Sequence, residues 1–294
     1  MRLPLIVVTL SACAVANRPE QAADSGVLTP DSNIQPTDGP TQPTPDGPDE
    51  PTPDGPTQTT GSSLLISEVS LAPAGGEFIE IINPTAQTVD LASYYLSDSG
   101  NYFRLPGGAT VVQSDFIIKF NAGATIAPGA VITVALDTAA SFQTTYGVAP
   151  TFALGSGTMI AVVTSGAPTL TNDGELVVLF RWSGTSDLVA DSDIILAGRP
   201  TSTNLLVDKS GVAIDGPDAD TTATAYGADS RTIAIQGSIP TQGTSTKRIA
   251  LETGFEITGL NGIDGDDETS ENTAMTWDST FTAPTPGAVP AGLL

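Results

Sequence analysis

Apolar and polar positions alternate most sharply between Leu64 and Leu96. Leu64-Leu65-Ile66-Ser67-Glu68-Val69 begins as an apolar run and passes into alternation, Ala74-Gly75-Gly76 interrupts it, and Glu77-Phe78-Ile79-Glu80-Ile81-Ile82 sets acids against large apolar side chains. A period of two is that of a half-buried strand and the glycines supply a turn, so the stretch predicts a hairpin. At that period Glu68, Glu77 and Glu80 are expected on the wet face of a sheet edge or as hydrogen-bond partners for loops. Further strand patterns cover 115–120, 130–136, 159–163 and 175–181, bounded by turn residues such as Pro128-Gly129 and Asn172-Asp173-Gly174. After Trp182 the pattern weakens, leaving two short candidates, Leu188-Val189-Ala190-Asp191 and Asp193-Ile194-Ile195-Leu196. One helix is expected, Thr138 to Tyr146, with Asp137 as its N-cap and Gly147 as its stop. Short strands at regular intervals with little helix predict an all-β antiparallel sandwich.

Ile66-Ser67-Glu68-Val69, the run from Gly76 to Pro84, Val89-Asp90-Leu91 and Tyr95-Leu96-Ser97-Asp98 follow one another in an order that resembles the opening of a lamin-tail domain. Phe142-Gln143-Thr144-Thr145-Tyr146-Gly147-Val148-Ala149-Pro150 resembles the helical turn of the bacterial forms, and Ala283-Pro284-Thr285-Pro286-Gly287 their exit. The resemblance implies an immunoglobulin-like sandwich with long loop insertions. It implies no activity, because a common fold hosts many functions.

Composition divides the chain. Arg2 precedes the apolar run Leu3 to Leu10, which is too short to span roughly 30 Å of hydrocarbon as a helix and fits a cleavable export signal over residues 1–12. Leu10-Ser11-Ala12-Cys13 resembles the lipobox of bacterial lipoproteins, which implies lipidation of Cys13 and attachment to a membrane. Cys13 is the one cysteine of the chain, so no internal disulfide can form. Ala14 after the cysteine resembles the sorting pattern for the outer membrane of the cell envelope. Residues 13–62 are rich in Pro, Thr, Asp and Gly and cannot build a core, so they are expected to be a disordered linker. From Arg18 to Ser62 the reach lies between about 37 Å as a coil and about 140 Å extended. The sandwich is assigned to 63–290 and a short tail to 291–294. A second small domain within 200–270 is the competing division.

The absence of histidine, with the only cysteine at the lipid position, removes Ser-His-Asp and Cys-His catalysis and the usual zinc sites. Carboxylates remain. Asp215, Asp218 and Asp220 form one cluster, and Asp264, Asp266, Asp267 and Glu268 form another with Glu271 behind it. Oxygen-rich loops suit calcium, although neither has EF-hand spacing and both also read as solvated acidic loops. Trp182 and Trp277 can stack on a sugar ring or cap the core. The chain carries a net charge of −23, of which −17 lies from position 63 onward, so binding to nucleic acid is not expected.

The reading is a non-enzymatic cell-envelope lipoprotein presenting a sandwich for adhesion, scaffolding or binding of a protein or glycan partner. The alternative is a calcium-dependent module for carbohydrate or another envelope ligand, its site in the acidic loops after Leu206. A carboxylate hydrolase is the third.

Overall fold

The computed structural model describes residues 63–72, 75–200, 207–230, 235–252, 256–263 and 265–294, all within one compact unit, Gly55–Leu294. The signal, Cys13 and the linker lie outside the described residues, as does Asp264. In chain order the elements are β1 (Leu65–Ser70), β2 (Phe78–Ile82), β3 (Val89–Asp90), β4 (Tyr94–Ser97), β5 (Phe116–Phe120), β6 (Thr125–Ile126) and β7 (Val131–Ala135). There follow α1 (Ala139–Tyr146), β8 (Phe152–Ala153), β9 (Met159–Thr164), β10 (Gly174–Arg181), β11 (Ala190–Gly198), β12 (Ala213–Ile214), β13 (Thr224–Ala225), β14 (Thr246–Lys247) and α2 (Thr273–Thr276). The expected hairpin forms, β1 against β2 with Val69 opposite Ile79. The expected helix is α1, but its cap is Thr138, whose side chain accepts from the Ser141 N–H, and not Asp137. A hydroxyl at this position lies closer to the N3 amide than a carboxylate one residue earlier can. Gly147 stops the helix in the left-handed conformation, φ 75°.

Two five-stranded sheets, ordered β14-β1-β2-β7-β8 and β11-β10-β4-β5-β9, face each other. Ile66, Ile79, Ile81 and Val134 of the first sheet share one core with Leu96, Ile118, Val177, Leu179 and Ile195 of the second. This is an immunoglobulin-like β-sandwich, almost wholly antiparallel, with β7-β8 the parallel pair among those described. The second sheet is buried on its outer face as well. Tyr95, Ile117, Leu176, Val178, Phe180, Ile194 and Leu196 pack there against Tyr102 and Phe103, and against Val207, Ile214 and Tyr226 from the last third of the chain. Burial on both faces explains why β10 reads as a continuous apolar run and does not alternate.

The outer face of the first sheet carries the row Lys247, Glu68, Glu80, Thr133 across four strands. The sequence pattern offers these acids either to water or to loops, and the structure selects the loops. Glu68 and Glu80 are both 0% exposed. Two like charges directly opposite each other destabilise a sheet unless something offsets them. Here Glu68 accepts from Ser245, from the Thr285 N–H and from the Thr285 hydroxyl. Glu80 accepts from the Gly287 N–H and the Ser67 hydroxyl. The chain's end is thus strapped over the sheet, and Leu293 packs there beside Leu65 and Ile82.

β11 replaces the two strands expected at 188–191 and 193–196. The break falls at Ser192, which is the extra residue of a β-bulge: Leu179 pairs with Asp193 and Phe180 with Asp191. Strict alternation would turn both aspartates to one face. The extra residue turns them to opposite faces, so Asp193 lies with Leu179 between the sheets and Asp191 lies with Phe180 on the outer side.

Candidate functional site

Each of these aspartates receives a buried cation from the last third of the chain. On the outer side, Lys209 Nζ is 2.7 Å from Asp191 and 3.1 Å from Asp229, and the Tyr102 hydroxyl donates to Asp191 at 2.6 Å. Burial opposes the charge of Lys209, but Asp191 and Asp229 overcome it and hold the ammonium above its ordinary range. Between the sheets, Arg248 follows β14, its backbone anchored on the Ser67 carbonyl. Its Nε donates to the Ile66 carbonyl at 2.8 Å and its Nη2 to Asp193 at 2.6 Å, while Asp193 Oδ2 accepts the Ile66 N–H at 2.5 Å. Ser192 donates to the Leu64 carbonyl. Side chains of β11 and Arg248 therefore complete backbone bonds of β1 that no strand reaches, which ties the edges of the two sheets together. The Arg248 guanidinium lies 4.9 Å from the centre of the Trp277 ring.

Around Arg248 gathers the densest group of carboxylates described. Its Nη2 is also 2.8 Å from Glu252 and 3.4 Å from Glu271, and Asp193, Glu252 and Glu271 bring oxygens within 4.8 Å of one another. Glu252 belongs equally to a second triad, Glu252, Glu256 and Glu268, with the same spacing. Glu268 is placed there by its loop. Residues 261–263 run beside β11, with the Asp191 N–H donating to the Asn261 carbonyl and the Ile263 N–H to the Asp191 carbonyl. Asp267 then caps a 3-10 turn over Glu268–Ser270. Gly262 allows the close fit, since a Cβ there would collide with the Asp266 carbonyl and sit 2.9 Å from Glu268 Oε1.

Three carboxylates thus pair with one guanidinium, and Glu256 and Glu268 adjoin them through Glu252. Desolvation by burial, with repulsion from neighbouring acids, raises Glu252 and Glu268 well above the carboxylate range and lifts Glu256 to about 8. Glu271, similarly buried but helped by Arg248, stands at about 7. Asp193 Oδ1, Glu256 Oε1 and Glu268 Oε2 are buried and accept no hydrogen bond.

The calcium candidates read from the sequence are distributed unevenly. Asp215 and Asp218 do meet, and Asp187 joins them from before the acidic loops. Local donors occupy this group: the Thr224 hydroxyl and Gly216 N–H hold Asp187 below its usual range, and Asp218 accepts the Asp220 N–H. Asp220 turns away to accept the Thr222 N–H. In the second loop Asp267 accepts from the Thr269 and Ser230 amides as a cap, Asp266 contributes its backbone carbonyl to Gly262, and Glu268 enters the buried triad. Sequence reasoning did not reach Asp187, Asp193, Glu252 or Glu256, because they are scattered singly and meet only through the wrap of the last third. The pair Lys247-Arg248, with Glu252 four residues on, was the available signal. Trp277 is a core residue, so no sugar stacks on it. Trp182, its Nε1 donating to the Ser186 carbonyl, lines a cleft of about 330 Å³ with Leu188, Tyr226 and Asn261.

The family model for the Lamin Tail Domain matches residues 57–216, which include both sheets except β14. No curated protein matches. Among solved structures, a DUF4876 family protein from Bacteroides thetaiotaomicron is similar at 14% identity and a TM-score of 0.44, covering 79% of this chain and 75% of that one.

Proposed function

The chain belongs to the lamin tail domain family, matched over more than half its length, and from that premise we propose that it is a non-enzymatic lipoprotein of the cell envelope. Acylation at Cys13 anchors it, the linker over 13–62 carries the head away from the lipid, and the sandwich is presented to a protein partner. The observation that carries the non-enzymatic reading is the direction of the charged groups. Catalytic acids need to face a substrate, whereas Glu68, Glu80, Asp191 and Asp193 are turned inward and hold loops and sheets together. One acyl chain holds a protein weakly and two or more hold it stably, so the triple modification that the lipobox resemblance implies makes release slow.

Fractionation tests the anchor. The wild-type protein is expected in membranes and labelled by radioactive palmitate, and Cys13→Ser unlabelled in the soluble fraction. Recovery of Cys13→Ser in membranes at the wild-type level overturns the reading.

A further inference from the structure

Arg248 neutralises one side of the buried acid group, facing Asp193 and Glu271, and reaches the other side only through Glu252. Glu256 and Glu268 make no ion pair among the described residues, although Arg248 is near enough to Glu256 to oppose the rise of its pKa. Glu268 is 4% exposed, yet its Oε2 accepts no hydrogen bond, and its carboxylate lies within 4.8 Å of those of Glu252 and Glu256. Two oxygens bound to one calcium ion at 2.3–2.6 Å stand at most about 5 Å apart, so the triad already has ligand spacing. The group at Asp187, Asp215 and Asp218 has the same spacing, but Asp215 and Asp218 are exposed and Asp187 and Asp218 accept local hydrogen bonds that account for their positions. Leaving buried carboxylate oxygens unpaired is costly unless a cation or protons supply the missing partner.

We propose that Glu252, Glu256 and Glu268 bind a calcium ion that completes the junction between the last third of the chain and the edge of the sandwich at β1 and β11. The ion supplies the partner that Glu268 Oε2 and Glu256 Oε1 lack, and Arg248 serves the neighbouring Asp193 and Glu271. Hard carboxylate oxygens in an irregular loop setting fit calcium, which accepts six to eight oxygens in flexible geometry, with water completing the shell. The inference is independent of the anchoring reading, because the purified chain suffices to test it.

Thermal melts of the full chain in calcium and in EDTA decide the matter. A ligand that binds only the native state raises its stability, and at a calcium concentration a hundredfold above Kd a domain of this size gains about 5–10 °C in Tm. Glu268→Gln and Glu256→Gln are expected to lose that gain, while Asp218→Asn keeps it in full. Identical wild-type melts in calcium and EDTA overturn the proposal. So does a calcium response abolished by Asp218→Asn and retained by Glu268→Gln. Should Glu268→Gln fail to fold, calorimetric titration of the wild type and of Glu256→Gln with calcium carries the decision: one ion per wild-type chain and none for the variant supports the site, and no binding to the wild type at millimolar calcium overturns it.

Discussion

Asp98 couples this fold to pH. Its Oδ1 accepts the Phe116 N–H at 2.7 Å, while its Oδ2 is buried with no donor in reach. Desolvation by burial outweighs that one hydrogen bond and raises the carboxyl to about 9. The folded protein therefore keeps a proton that the unfolded chain releases near pH 4. The difference in bound protons makes stability fall as pH rises from about 4 to 9, and the loss is complete above the folded value. Glu77 and Glu80, each lifted by burial to about 7, act with the same sign between about pH 4.5 and 7. Denaturant unfolding at pH 5 and pH 8.5 is expected to show the wild type losing on the order of 3 kcal/mol more than Asp98→Asn, because asparagine keeps the acceptor for Phe116 and has nothing to titrate. Parallel pH profiles for the two proteins would refute this. The sequence marks Asp98 as part of the lamin-tail opening but gives no hint that its donor lies on β5. Whether an acid at strand period meets water or a loop depends on segments more than a hundred residues away, as with Glu68 and Thr285, and no local pattern carries that information.

The element of most consequence is β11. Its bulge lets two aspartates of one strand hold cations on opposite sides of one sheet. Removing one partner of a buried pair leaves an uncompensated charge and costs about 3–5 kcal/mol. Arg248→Met is expected to lose that much, measured by chemical denaturation, and adding Asp193→Asn is expected to recover at least about 1 kcal/mol of it. Simple additivity of the two changes would show that the pair is not coupled. Strand patterns were legible wherever alternation or an apolar run was uninterrupted, as in β2, β7 and β10. At β11 Ser192, between Asp191 and Asp193, reads as a gap between two strands, since a bulge breaks the period by which strands are recognised. The four-residue α2 carries too little periodicity to be predicted, and it falls in a stretch that reads as loop.

At the scale of the molecule, a sandwich of this class needs about 100 residues, and the rest read from sequence as loop insertions. The structure gives that surplus definite tasks. Residues 207–230 cover the outer face of the second sheet, Arg248 with the acids around it joins the two sheet edges, and 282–293 cover the first sheet. Truncation after residue 281 strips the two Thr285 donors from Glu68 and the Gly287 N–H from Glu80, and uncovers Leu65 and Ile82. It is expected to lower stability by on the order of 2–4 kcal/mol, read as a fall in Tm, and an unchanged Tm would show that the strap is dispensable. The strap also imposes an order in time. A ribosome delivers β1 first, but Ile66 waits for Arg248, 182 positions later, and Glu68 for Thr285, 217 positions later. Contacts of such high contact order form slowly. Until residues 246–248 have emerged, the first strand presents an open edge of the kind that recruits stray strands, and its outer face stays bare until Thr285 and Gly287 follow, so the earliest part of the domain to be made is among the last to be secured.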